Sequence, residues 1–194
     1  MKKIFALLLL ASITSMPYVT LAEDPTDVSD WANATTAQKA NWFERTAREF
    51  EDNLITLIRS HGENREIKRD ALFKLMQVES LIEYEARNSS IVSSNNRRNL
   101  LLEVNILKKA VDELETIAAE FAQMRYSRPS EAQSRPLINK FQALHKSVVK
   151  PIGTSWTDSP TTRSLKKGIQ QFKSALNGSL ITFQSDNALT WTRD

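Results

Sequence analysis

Side chains suited to acid–base or metal chemistry are few in this chain of 194 residues. The two histidines are His61, beside a glycine, and His145, inside a helical stretch. A di-iron bundle needs a glutamate three residues before an inward histidine, and neither histidine has an acid there. The chain also lacks a glycine-rich phosphate loop, a nucleophile elbow and an aspartate-rich calcium loop. The sequence therefore predicts no catalytic, metal or cofactor site and a protein that is not an enzyme.

Glu79 and Glu83 lie one helical turn apart, a spacing that lets two carboxylates share a divalent cation. Acids spaced in this way on a charged helix are more typical of a solvated face. The chain contains no cysteine, which excludes a thiol nucleophile, covalent haem attachment through cysteine and disulfide bonds. We therefore expect packing to stabilise the fold.

Residues 51–54, Glu-Asp-Asn-Leu, and residues 158–160, Asp-Ser-Pro, leading to Lys167-Gly168, resemble stretches of cytochrome b562. The resemblance implies a periplasmic four-helix haem carrier and covers under a tenth of the chain. Leu54 stands where that family has its methionine ligand, Lys167 replaces the histidine before the glycine, and the C-terminal histidine helix is missing. These departures favour a chance likeness between helical sequences of similar composition.

The first 22 residues have the layout of a cleavable signal peptide. Lys2 and Lys3 precede an apolar run of about ten residues, and residues 20–22 offer small side chains at the usual cleavage spacing. Polar residues interrupt the run well before the about 20 apolar residues that span a bilayer. The sequence predicts export, to the periplasm or to the outside of the cell, with no transmembrane anchor after cleavage.

Residues 35–125 show the apolar period of three long helices. Thr35 and Gln38 predict a capping box at the first helix, His61-Gly62 predicts its end, and Asn64 predicts the start of the second. The third helix repeats apolar residues over three heptads, which is typical of a bundle core or of a coiled coil with another chain. We favour the core and leave the oligomeric state open. The repeat consists of Leu100, Val104, Leu107, Val111, Leu114, Ala118 and Phe121.

Residues 126–178 contain prolines that divide the chain into shorter pieces. One short helix is predicted from about Pro136 to Val149, and another from Pro160 to Asn177-Gly178. Residues 179–194 lose the helical period and are rich in β-favouring side chains, which predicts a small hairpin or an extended tail. Together, residues 23–194 are predicted to form a single all-α helical-bundle domain.

Charge is distributed unevenly along the chain. Residues 23–124 contain 13 basic and 19 acidic residues, whereas residues 125–173 contain 10 basic and 2 acidic residues. The basic segment is predicted to bind an envelope protein or an anionic surface, or else to fold onto the acidic helices and neutralise them. Nucleic acid is not expected as the partner of an exported chain that is nearly neutral after cleavage. The candidate partner-binding residues are Arg125, Arg128, Arg135, Lys140, Lys146, Lys150, Arg163, Lys166 and Lys167.

These patterns give three hypotheses for function. The first is a non-enzymatic exported bundle that binds an envelope partner or anionic ligand through its basic segment. The second is a small-molecule or haem carrier of cytochrome b562-like architecture, with His145 as the better haem ligand and Met76 or Met124 opposite. The third is a secreted or pilus-associated subunit whose tail, residues 180–192, adds as a strand to a neighbour.

Overall fold

The computed structural model describes residues 28–88, 92–127, 130–150, 152 and 159–186. A short 3-10 helix, Val28–Asn33, precedes five α-helices, and no strand occurs in the described ranges. The predicted all-α helical bundle is confirmed. The predicted signal peptide, residues 1–22, lies outside the described residues. The helices are α1 (Thr36–Arg59), α2 (Arg65–Asn88), α3 (Ser94–Ser127), α4 (Glu131–Val149) and α5 (Pro160–Asp186).

The helices α1, α2, α3 and α4 run alternately up and down the bundle. Ion pairs join Lys68 of α2 to Glu115 of α3 and Glu79 of α2 to Lys108 of α3. Residue numbers therefore increase along α2 where they decrease along α3, which means that the two helices are antiparallel. The alternation continues in α5, which lies parallel to α1, since Gly168 is next to Phe43 and Gly178 is next to Glu51. None of the described helices has both the length and the apolar composition needed to cross a membrane.

The core contains side chains from the 3-10 helix and from all five α-helices. The six residues from Leu100 to Ala118 in the α3 repeat are buried within this chain, as the core interpretation predicts, and Phe121 is partly buried. Phe50 of α1 contacts Phe172 of α5 across the centre, with ring centroids 5.2 Å apart. The heptad stripe therefore packs inside a single chain.

Both predicted ends of α1 are confirmed. The Thr35 hydroxyl accepts a hydrogen bond from the Gln38 backbone N–H at 3.2 Å, and the Gln38 side chain accepts one from the Thr35 backbone N–H at 2.7 Å. At the other end, His61 and Gly62 have positive φ values of 57° and 77°. A side chain at Gly62 would also collide with the Glu115 backbone carbonyl, so glycine is required there for both reasons.

The start of α4 differs from the sequence prediction. The helix begins at Glu131, five residues before the predicted start at Pro136, which lies inside it. The Gln133 side chain accepts a hydrogen bond from the Ser130 backbone N–H at 2.8 Å, which caps the new start. A proline near a helix start removes one backbone hydrogen bond, and packing of α4 on the core offsets that loss.

The end of α5 also differs. The prediction that Gly178 ends the helix is wrong, because α5 continues to Asp186. A hairpin or extended tail is therefore wrong for residues 180–186, and residues 187–194 lie outside the described part. Leu180 and Phe183 extend the buried stripe of α5, and a side chain at Gly178 would overlap the Glu51 carboxylate of α1. Gly178 leaves room for the end of the Glu51 side chain, and the strand-addition hypothesis loses its basis over these seven residues.

Candidate functional site

The outer face of α4 carries several exposed cations. Arg135, Asn139, Lys146 and Lys150 are exposed and recur at spacings of four, seven and four residues, which places them on one side of the helix. No aspartate or glutamate occurs between residues 132 and 150. At 1.5 Å per residue, the stripe is about 22 Å long. We call Arg135, Lys146 and Lys150 the α4 cationic face.

The other predicted partner-binding residues differ in their surroundings. Lys140 lies beside this face and binds Glu120 of α3, with Nζ and Oε1 2.7 Å apart. Arg163 and Lys167 are exposed in the first turns of α5, and Lys166 is half-buried there. The Arg125 side chain and Arg128 lie outside the part of the chain that is described.

Several cations of the acidic helices pair with carboxylates within the bundle. Arg97 of α3 makes a bidentate pair with Glu83 of α2, with distances of 2.7–3.1 Å. Lys68 of α2 binds Asp112 and Glu115 of α3, and these hydrogen bonds raise its pKa. In the basic segment, Lys140 and Lys173 reach acids of the earlier helices. Lys146 and Lys150 form no ion pair with any described residue.

Lys173 fixes the C-terminal end of α4. Its side chain is 3% exposed, and its ammonium group donates to the Lys150 backbone carbonyl at 2.6 Å and to Glu103 of α3 at 2.8 Å. One buried cation thus joins α3, α4 and α5. In the sequence, Lys173 is one of ten basic residues in the range 125–173, and its burial is not predicted there. The available signal was its position beside Phe172 in the apolar stripe of α5.

Aromatic packing fixes the middle of α4. Phe141 stacks on Phe183 of α5 with ring centroids 5.3 Å apart, and Phe183 also contacts Phe121 of α3 at 5.5 Å. Because the buried side of α4 is held by these rings and by Lys173, the opposite side is presented to solvent in a fixed orientation. The α4 cationic face therefore lies opposite the packed side of the helix.

The carboxylates of Glu79 and Glu83, whose spacing would let them share a divalent cation, form ion pairs with basic side chains of the protein itself. Glu79 binds Lys108 and Glu83 binds Arg97, both from α3. No group of three or more metal-ligating side chains occurs among the described residues. The two carboxylates are therefore neutralised by lysine and arginine across the α2–α3 interface.

The predicted haem ligands do not converge. Met76 is 52% exposed on the outer side of α2. The Lys140–Glu120 pair sets the register of α3 against α4, and it leaves Met124 and His145 about 13 Å apart along the bundle. Such a separation does not allow both side chains to bind one iron.

A shallow groove runs between α1 and α5, where Gly168 and Gly178 bring the two helices close together. Ala47 and Ala175 form its apolar floor, and Glu51 lies on its wall. Burial, and to a smaller degree the charge of Asp52, raises the pKa of Glu51. The folded state therefore takes up a proton at Glu51 more readily than the unfolded chain does.

Glu51→Gln is expected to increase stability at neutral pH. A raised pKa in the folded state means that ionising Glu51 costs more in the folded chain than in the unfolded one, so its contribution to stability falls as the pH rises above 4.5. Glutamine removes this loss, and the gain should disappear once the pH falls below that value. Urea unfolding of both proteins at several pH values measures the difference. An equal gain at every pH would show that the ionisation of Glu51 is not its cause.

Comparisons of the chain with protein-family models, curated proteins and solved structures found no match.

Proposed function

We propose that the chain is a non-enzymatic exported helical bundle that binds the anionic surface of an envelope membrane through the α4 cationic face. The observation that supports this most is a contrast between individual cations. Lys68, Arg97 and Lys108 on α2 and α3 pair with carboxylates across the bundle, whereas Lys146 and Lys150 stand exposed on a helix that has no acid between residues 132 and 150. Export follows from the signal peptide prediction for residues 1–22.

The shape of the site favours a broad surface as its partner. The α4 cationic face is the solvent-exposed side of a helix, so it presents its charges along a line about 22 Å long. Lipid headgroups and lipopolysaccharide both carry phosphate, and phosphate contacts with lysine and arginine do not require a pocket. Each such residue close to an anionic membrane contributes about 1 kcal/mol.

Lys146→Gln together with Lys150→Gln is expected to weaken binding to anionic vesicles about thirtyfold, since two cations contribute about 2 kcal/mol. Glutamine favours a helix about as well as lysine does, and the Lys150 carbonyl that Lys173 binds remains. Sedimentation with vesicles of phosphatidylglycerol and phosphatidylcholine measures the affinity. Raising the salt concentration should weaken binding of the wild-type protein.

The matched control is Arg98→Gln with Lys109→Gln. Both residues are exposed on the outside of α3 and make no ion pair with described residues, so this variant has the same net charge as the test variant. We expect it to retain affinity within about twofold, since its cations lie on another face. Equal weakening by the two variants would indicate a response to net charge alone. Binding that does not change with salt would contradict electrostatic binding altogether.

A further inference from the structure

A small cavity lies at the end of the bundle where the 3-10 helix, α1, α2 and α5 meet. Its volume is about 130 Å³. The polar side chains around it are Lys39 of α1, Glu85 of α2 and the hydroxyl residues Thr36, Thr161 and Ser164. The cavity is separate from the α4 cationic face, so a ligand bound in it is independent of the function proposed above.

Aromatic packing builds one wall of the cavity. Trp31 is 2% exposed and makes edge-to-face contacts with Trp42 and Phe43, at 5.6 and 5.7 Å between ring centroids. Trp42 is buried as well, so both indole rings belong to the core. The Trp31 indole N–H donates to Glu85 Oε1 at 2.8 Å, which fixes the carboxylate at the cavity.

Lys39 completes a pair of opposite charges there. Its Nζ donates to the same Glu85 Oε1 at 3.2 Å and lies 5.0 Å from the centre of the Trp31 ring. Glu85 is 9% exposed, and burial of a charge is unfavourable unless the charge is paired. The carboxylate and the ammonium group therefore form one dipolar unit on the wall of the cavity.

Several hydrogen-bonding groups around the cavity have no partner within the described ranges. Glu85 Oε2 accepts no hydrogen bond there, and Lys39 uses one of its three N–H donors. The hydroxyl groups of Thr36, Thr161 and Ser164 also make none with described residues. Donors and acceptors from three helices thus converge on one space and are available to a ligand there.

We propose that this cavity binds a small zwitterion, namely an α-amino acid of about the size of glycine or serine. The ammonium and carboxylate groups of such a ligand are separated by one carbon atom, which matches the adjacent Glu85 and Lys39. Glu85 Oε2 accepts from the ligand ammonium, Lys39 donates to the ligand carboxylate, and the hydroxyl groups bind a short side chain. A cavity of about 130 Å³ corresponds to about four water molecules, which suits a ligand with a short side chain.

The test is titration of the full chain without its leader with glycine and with serine, followed by NMR of the indole N–H resonances. The Trp31 signal, assigned by its loss in Trp31→Phe, reports on Glu85 directly. We expect saturable shifts of this signal with millimolar affinity, because the ligand has few atoms. Leucine, glycolate and methylamine, which are too large or lack one charge, should bind at least about tenfold more weakly.

Two variants separate ligand binding from structural effects. Glu85→Gln keeps an acceptor for the Trp31 indole but removes the charge, and we expect it to weaken glycine binding at least about tenfold. Thr161→Val, which removes one hydroxyl on α5 at nearly constant volume, should weaken serine binding more than glycine binding. Glu79→Gln, elsewhere on α2, is the control and should bind both like the wild type. Absence of a Trp31 shift with glycine and serine, or equal binding of leucine, would overturn the proposal.

Discussion

Lys173→Met is expected to lower the free energy of unfolding by about 3–5 kcal/mol. The substitution removes the ammonium group that binds Glu103 and the Lys150 carbonyl. Glu103 is only 14% exposed at its side chain, and a charge left unpaired in such a position is costly. Equilibrium unfolding in urea measures the loss.

A double variant tests whether the loss comes from the unpaired charge. Lys173→Met with Glu103→Met replaces the whole pair by apolar side chains, and such replacements are often neutral or stabilising. We therefore expect the double variant to be more stable than Lys173→Met alone. Lys108→Met, which breaks a half-exposed pair with Glu79, is the control and should cost about 1 kcal/mol or less. A double variant no more stable than the single one would assign the effect to packing.

Phe183→Ala is expected to destabilise the protein by about 3–5 kcal/mol, whereas Ile181→Ala should change stability by about 0.5 kcal/mol or less. In α5, Phe183 is 2% exposed and contacts Phe121 and Phe141, while Ile181 is 54% exposed. Residues two apart lie on different sides of a helix but on the same side of a strand. The two alanine variants, compared by urea unfolding, therefore distinguish the helix from the predicted hairpin.

Similar losses for Phe183→Ala and Ile181→Ala would contradict a helix that runs to Asp186. A loss at Phe183 alone is the result that the described structure requires. Circular dichroism of both variants checks that neither has lost the fold as a whole.

The first three helices could be predicted from the sequence because their signals are local. Apolar residues at spacings of three and four mark the core side, and the capping box at Thr35 and the glycine at 62 mark the ends of α1. The predicted start of α4 at Pro136 and the predicted end of α5 at Gly178 are wrong. Proline and glycine often mark helix ends, but here tertiary packing extends both helices past them. Whether glycine ends a helix or admits a neighbouring helix depends on Glu51, which is 127 residues away in sequence from Gly178.

The sequence predicted which segment carries the candidate site, but it did not predict which of its basic residues are exposed. The excess of cations in residues 125–173 pointed to the basic segment, but charge counting does not show which cations are exposed. Lys173 is buried against Glu103, 70 residues away in sequence, while Lys146 remains on the outside. Likewise, the Trp31–Glu85 hydrogen bond joins residues 54 positions apart, so no spacing rule connects them.

Acetylation of lysines in the presence and absence of phosphatidylglycerol vesicles tests the central claim most directly. Lys146 and Lys150 are exposed on α4, and Lys109 is exposed on α3, so all three react in the free protein. We predict that vesicles protect Lys146 and Lys150 severalfold, that added salt removes this protection, and that Lys109 reacts equally in both conditions. Unchanged reactivity of Lys146 and Lys150, or equal protection of Lys109, would contradict binding through the α4 cationic face.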